Sequence, residues 1–144
     1  MTVLPLDVSS TVAQMYRLAR AYRSDLRALP WRTLEEVFRG VAAVPYRRDE
    51  DALECAGNVE CLKRPALTRA LGGDCDDKAI LAGAALSNIG VPWRFVTASY
   101  NGEDMTHVYL EVFVHGAWIP FDATSGELTL GEELPFVEKI VWGG

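Results

Sequence analysis

Two periods organise the chain. Over residues 11–29 apolar side chains return every three or four positions, at Val12, Met15, Leu18, Ala19, Tyr22, Leu26 and Leu29. That spacing predicts an amphipathic helix. Thr11-Val-Ala-Gln14 has the form of a capping box that would open it, and Pro30 would close it. Arg17, Arg20, Arg23 and Arg27 fall on its wet side. Thr33-Leu-Glu-Glu36 repeats the box and predicts a second, short helix with Leu34, Val37, Phe38 and Val41 inward. Residues 45–64 lose the period and carry many charges, which predicts a loop with at most one helical turn. Pro65 to Leu71 predicts a short helix stopped by Gly72-Gly73.

Residues 75–89, CDDKAILAGAALSNI, are apolar on nearly every side of a helical wheel. A helix of that kind is buried. Asp74 suits its N-cap, Gly90 its C′ position, and Pro92 blocks continuation. Gly83 lowers helix propensity in the middle, so a closely packed neighbour is expected there. The period then changes to two. Residues 93–100 (WRFVTASY), 107–114 (HVYLEVFV) and 117–123 (AWIPFDA) predict strands, with His115-Gly116 as the turn between the last two. Strand-like stretches recur near Leu128–Leu130 and Val137–Trp142. Helices followed by antiparallel strands predict the α+β class: amino-terminal helices and one buried helix packed on a small antiparallel sheet.

A two-residue turn at 115–116 dictates a register. Val114 faces Ala117, Phe113 faces Trp118, and Tyr109 faces Asp122. Side chains alternate across a strand, so His107, Tyr109, Glu111 and Phe113 share a face with Trp118, Pro120, Asp122 and Thr124. His107 and Asp122 become diagonal neighbours within hydrogen-bond reach, provided no bulge shifts the strand by one residue. Pro120 predicts an edge strand. Cys75 should stand at the first turn of the buried helix, where the positive end of the helix dipole favours a thiolate. Cys75 as nucleophile, His107 as base and Asp122 as the group orienting the imidazole make a complete acyl-transfer device. Tyr109, Glu111, Trp93 and Trp118 are candidates for the site wall or for the core. His115, in the turn, is expected only to be exposed.

Composition narrows the classes. At 144 residues the chain is expected to be a single domain, 1–144. With 49% hydrophobic and 24% charged residues it is not a disordered segment. A net charge of -6 argues against a nucleic-acid partner. No apolar run approaches the ~18 residues of a membrane span, and MTVLPLDVSS lacks a basic leader. The expectation is a cytoplasmic protein. Three cysteines, Cys55, Cys61 and Cys75, exclude a fully paired framework, and reduced thiols are expected. Their spacing, with two histidines in the chain, does not suit zinc. The triad itself needs no cofactor.

Several segments together resemble the transglutaminase-like superfamily, whose core is papain-like. They are Gly73-Asp74-Cys75-Asp76-Asp77-Lys78-Ala79, Gly90-Val91-Pro92, His107-Val-Tyr-Leu-Glu111-Val, and Trp118-Ile-Pro-Phe-Asp122-Ala-Thr124. The resemblance implies a cysteine that starts a helix packed on an antiparallel sheet, with histidine and aspartate on adjacent strands. It makes Cys75, His107 and Asp122 the triad of a cysteine peptidase, or of an enzyme for glutamine acyl transfer or deamidation, working through a thioester on a protein or peptide. The chain lacks the additional domains of the large tissue transglutaminases, which implies that a protein partner supplies recognition. A non-enzymatic alternative also follows: compact proteins with a Gly-Asp-Cys-Asp-Asp run resemble ones encoded among phage structural genes, which would make this a virion or tail-assembly component. Asp74-Cys75-Asp76-Asp77 is similar to the Asp-Cys-Glu-Asp run of bacterial relatives that bind calcium beside the nucleophile. That likeness makes Asp74, Asp76 and Asp77 candidate calcium ligands. Three carboxylates oppose a thiolate, and a hard cation would offset them. The same three residues equally suit an N-cap and an acidic first turn. For the second oxyanion donor the chain offers Gln14, Trp31 or a backbone N–H of the 58–64 loop.

Overall fold

The computed structural model describes residues 8–26, 30–47, 65–100, 107–124 and 127–143. Its elements are α1 (Val8–Ala21), a 3-10 turn (Arg23–Leu26), α2 (Leu34–Ala42), α3 (Pro65–Leu71), α4 (Cys75–Asn88), β1 (Trp93–Ser99), β2 (His107–Val114), β3 (Ala117–Phe121) and β4 (Glu138–Trp142). The strands form one antiparallel sheet in the order β3-β2-β1-β4. The α+β class and the small antiparallel sheet expected from the sequence are both present.

The apolar wheel of α4 has the consequence expected of it: Asp77 through Leu86 are all buried. α1, α2, α3, β1 and β2 all pack against this helix. Small residues let the neighbours approach. A Cβ added at Gly83 would lie 2.8 Å from the Trp93 ring, so the glycine is there to seat the indole. Trp93 is pinned in turn, donating Nε1–H to Ser87 Oγ at 2.9 Å and stacking on Tyr16. At the far end Gly90 takes φ 75°. Its N–H reaches Ser87 O, and the Val91 N–H reaches Leu86 O. That pair of bonds is the Schellman closure, with glycine at C′.

Alternation along the strands separates two faces. Phe95, Val108, Leu110, Val112 and Phe121 point to the helices and join the main core with Val37, Phe38 and Val41 of α2. Val96, Ala98 and Tyr109 form a smaller cluster on the opposite face. Tyr16 ties α1 to the sheet. Its hydroxyl accepts from Phe95 N–H at 2.9 Å and donates to Trp142 O at 2.7 Å, bridging two residues that face each other across β1 and β4.

The β2–β3 register is the one the turn predicts, with Phe113 opposite Trp118 and Val114 opposite Ala117. His115 and Gly116 take φ 52° and 81°, the positive pair whose twist matches the flanking strands. Pro120 sits opposite Glu111 on the edge strand, and its carbonyl accepts from Gly131 N–H at 3.0 Å.

Other expectations change. α1 starts at Val8, so Thr11 lies inside the helix and caps nothing. It stops at Ala21 rather than running to Pro30. The chain tightens into the 3-10 turn, which keeps Leu26 buried, and Asn88 Nδ2–H captures the Arg23 carbonyl at 2.7 Å. The Thr33–Glu36 capping box forms as expected. Leu128–Leu130 is no strand, because Glu132 closes a turn over it: its carboxylate accepts from Thr129 N–H at 2.8 Å, and its N–H reaches Thr129 O. Tyr46 forms a single parallel bridge to Gly73. Cys55, Cys61 and the rest of 48–64 lie outside the described residues. No helix among the described residues is long and apolar enough to cross a membrane.

Two stability predictions follow from this packing. Gly83→Ala gains about 1 kcal/mol of helix propensity. It also drives a methyl into an indole that Tyr16 and Phe95 hold from other sides, an overpacking cost of about 1–3 kcal/mol. The melting temperature should fall by a few degrees, and a rise would refute the close-packing account. His115→Asn places in the left-handed turn a residue that tolerates it. It should raise the urea midpoint by about 0.5 kcal/mol equivalent at unchanged m, and an unchanged midpoint would show that His115 is not strained.

Candidate active site

The amino terminus of α4 is built by two aspartates. Asp74 Oδ1 accepts from Asp77 N–H at 3.2 Å, and Asp77 Oδ2 accepts from Asp74 N–H at 3.3 Å. This reciprocal capping box starts the helix at Cys75. Asp77 is fully buried under Gly73, where an added Cβ would fall 2.5 Å from Asp77 Cβ. The Gly-Asp-Cys-Asp-Asp run therefore has a packing reason at its glycine and a capping reason at its first and last aspartates.

Cys75 is a free thiol that keeps part of its surface exposed. The backbone N–H of Val108, the residue after His107 in β2, is near enough to act on its sulfur. The thiol donates weakly to Asp76 Oδ1 at 3.7 Å. Burial of the sulfur pushes the thiol well above its ordinary range, and the Asp76 and Asp74 carboxylates push it further, against the Val108 N–H. The dipole-stabilised thiolate expected from the sequence is outweighed, and Cys75 rests protonated.

His107 and Asp122 are brought together as the register requires. His107 Nε2 lies 2.8 Å from Asp122 Oδ2. Asp122 is buried, and its other oxygen, Oδ1, accepts from Thr124 N–H at 3.2 Å. Burial pushes its carboxyl up, but the His107 hydrogen bond and charge, with Thr124, outweigh that and hold it below the ordinary range. Two tyrosines flank the imidazole: Tyr109 stacks on it at 5.5 Å, and the Tyr100 ring lies 6.0 Å away. Burial, with Asp122, Glu133 and Cys75 nearby, pushes the Tyr100 hydroxyl up to about 12. Tyr109 donates to Glu133 at 2.6 Å and is likewise raised, by burial first and then by Glu133. Both phenols stay protonated through the neutral range.

The remaining candidates separate from the site. Asp74 and Asp77 spend their carboxylates on the helix start, and Asp76 faces the thiol. Among the described residues no three His, Cys, Asp or Glu side chains converge as a metal site. One carboxylate oxygen each of Asp74 and Asp77 is taken by a backbone N–H of the helix start, and Asp76 Oδ1 by the Cys75 thiol. Trp31 packs against Gly40 and lines a cavity of about 350 Å³ with Ser87, Asn88 and Ile89, at the opposite end of α4 from Cys75. Gln14 is taken by Arg17 at 2.6 Å. Neither supplies an oxyanion donor, and the 58–64 loop lies outside the described residues. Trp93 belongs to the core. Trp118 pairs with Phe113 and lies under Arg94 near the turn. Glu111 is held by Arg94 and Lys139 at 2.6 and 2.8 Å.

Three neighbours escaped the sequence reading. Tyr100 and Glu133 come from segments with no motif of their own. Lys78 did carry a signal, as the lone cation in the apolar stretch of α4. It is buried, donates Nζ–H to Val44 O at 2.9 Å and to Thr124 O at 2.6 Å, and burial lowers it to about 8 against the nearby charge of Asp122.

Comparison with known proteins follows from this geometry. No curated protein matches the chain. One solved structure, "a Putative Cysteine Protease from Cytophaga hutchinsonii", is similar at 20% identity and a TM-score of 0.46, over 85% of this chain and 42% of that one. The chain thus spans less than half the length of that protein. The model of the transglutaminase-like superfamily matches residues 33–123, from the cap of α2 to the residue after Asp122. That match covers well over half the chain, and the protein belongs to the transglutaminase-like superfamily.

Proposed function

We propose that the protein is a cysteine-peptidase-like acyl-transfer enzyme that cleaves peptide or isopeptide bonds through Cys75, His107 and Asp122. The observation that carries the reading is the 2.8 Å contact between His107 Nε2 and the buried Asp122, at the end of β2 whose Val108 N–H acts on the Cys75 sulfur. The contact occupies Nε2 and leaves Nδ1 as the ring nitrogen for the thiol.

Chemistry follows from the resting state. Because Cys75 is held protonated, attack requires a base. His107 Nδ1 takes the Sγ proton as sulfur adds to the carbonyl carbon, and Asp122 stabilises the imidazolium that forms. The Cys75 N–H, at the first position of α4, has no acceptor within the helix and serves in this reading as a donor to the developing oxyanion. Collapse breaks the C–N bond, His107 gives its proton to the departing amine, and an acyl thioester remains on Cys75. Water, deprotonated by His107, then attacks the thioester carbonyl, releasing the acid and returning the proton to sulfur. A primary amine in place of water would give acyl transfer from the same intermediate.

An activated ester tests this without knowledge of the natural substrate. p-Nitrophenyl acetate should acetylate Cys75, read by peptide mapping against Cys55 and Cys61, and release from the thioester with water or with added amine separates hydrolysis from transfer. His107→Ala should slow acetylation at neutral pH by about 10²–10⁴-fold, the usual contribution of a positioned base. Asp122→Asn should slow it by up to about 10⁴-fold. Equal rates in wild type and His107→Ala, or no adduct at Cys75, would overturn the proposal.

A pH profile gives an independent check. In His107→Ala only the thiolate reacts, so its rate should climb about tenfold per pH unit well past neutrality, because the thiol sits above its ordinary range. Wild type should show a flatter profile. A plateau near neutral pH in the variant would mean that burial and the Asp76 and Asp74 carboxylates do not raise the thiol.

A further inference from the structure

Lys78 is the one cation on α4, and the chemistry above does not use it. It stands three residues after Cys75, about one turn along the same helix, and is 2% exposed. A buried ammonium persists where its donors find acceptors. Its two acceptors are backbone carbonyls from different segments. Val44 comes just after α2, and Thr124 stands two residues past Asp122. Both bonds, 2.9 Å to Val44 O and 2.6 Å to Thr124 O, are short, as expected where the donor carries charge.

Thr124 is also bonded in the other direction. Its N–H donates to Asp122 Oδ1 at 3.2 Å, while Asp122 Oδ2 lies 2.8 Å from His107 Nε2. A continuous line of hydrogen bonds therefore runs from Lys78 through Thr124 and Asp122 to His107. It begins on the helix that carries Cys75 and ends on the imidazole. Asp122 lies one residue beyond β3, which ends at Phe121, so the register brings it to His107 but no ladder bond holds its own backbone. The line adds a second constraint, tying the carboxylate to the helix of the nucleophile as well as to the sheet.

We propose that Lys78 is a positioning residue, clamping the Asp122–Thr124 turn to α4 and so setting the carboxylate and imidazole in register with the Cys75 thiol. The proposal rests on the Cys75–His107–Asp122 reading and adds to it the part that joins its two halves.

Lys78→Met keeps the stem and removes the donors. The test compares acetylation of Cys75 by p-nitrophenyl acetate with the His107 ring N–H signal in proton–nitrogen NMR. The chain has two histidines, so a His115→Asn background leaves His107 alone in the spectrum. Lys78→Met should slow acetylation at least tenfold and broaden or abolish the Nε2–H signal. Val37→Ala, a core truncation away from the line, should leave both at wild-type values while lowering the melting temperature. Because Lys78 acts through Asp122, Lys78→Met in an Asp122→Asn background should change the rate less than twofold.

A folded Lys78→Met protein with wild-type rate and signal would overturn the proposal, as would additive losses in the double variant. Should Lys78→Met fail to fold, the Lys78 ammonium nitrogen resonance of the otherwise intact chain decides. Asp122→Asn must shift it, and an unmoved resonance refutes the linkage. Failure of wild type to acetylate Cys75 would remove the catalytic reading and the Lys78 role together. Wild-type acetylation matched by Lys78→Met would remove Lys78 alone.

Discussion

Burying α4 on every side constrains the rest of the molecule. Its small residues require close neighbours: Trp93 sits on Gly83, and α1, α2, α3 and the two central strands crowd the remaining faces. A helix so enclosed cannot tilt or slide without opening voids. Its first residue is consequently held in one place, against the beginning of β2. The strand then does the rest by alternation, turning His107 to the same face as Asp122. The location of the thiol is thus a by-product of helix packing, and that of the imidazole a by-product of strand register.

Helix stability and thiol chemistry pull in opposite directions at that point. Asp74 and Asp77 secure the first turn through reciprocal backbone bonds, and acidic groups there complement the helix dipole. Asp74 and Asp76 also disfavour the thiolate beside them. A cysteine at a helix start is commonly activated by the dipole alone. Here burial of the sulfur, and then the Asp76 and Asp74 carboxylates, outweigh it, and in the proposed reaction the work of deprotonation falls on the base. This makes the orientation of His107 matter more than the acidity of Cys75.

Much of this arrangement was legible in the residues. The strict alternation of HVYLEVFV and the two-residue turn determined β2, the hairpin register and the His107–Asp122 contact, because local pairing leaves one register that buries the apolar set. The apolar wheel around Gly83 foretold a buried helix and a close neighbour, and Asp74 read correctly as its cap. What failed was non-local. Nothing in 11–29 signals that Asn88, over sixty residues away, would capture the Arg23 carbonyl and favour a 3-10 turn there. The Leu128–Leu130 stretch alternates like a strand, but Glu132 closes it into a turn through side-chain bonds. Asp74, Asp76 and Asp77 suited both a cap and a cation by type. The reciprocal backbone bonds of Asp74 and Asp77 show the cap. Lys78 stood out as a charge among apolar residues, but its acceptors lie just after α2 and beyond β3, brought there by the fold.

Pro120 has a meaning beyond marking an edge. Its carbonyl points away from β2, to Gly131. In an antiparallel strand the amide nitrogen of a residue points the same way as its carbonyl. The hydrogen that proline lacks is therefore missing from the outer side of β3, and the acceptor beside it is already taken. An intruding strand would find neither a donor nor an open acceptor at Pro120, next to the end of β3. The edge of the sheet nearest Asp122 is therefore closed at Pro120 to a fifth strand.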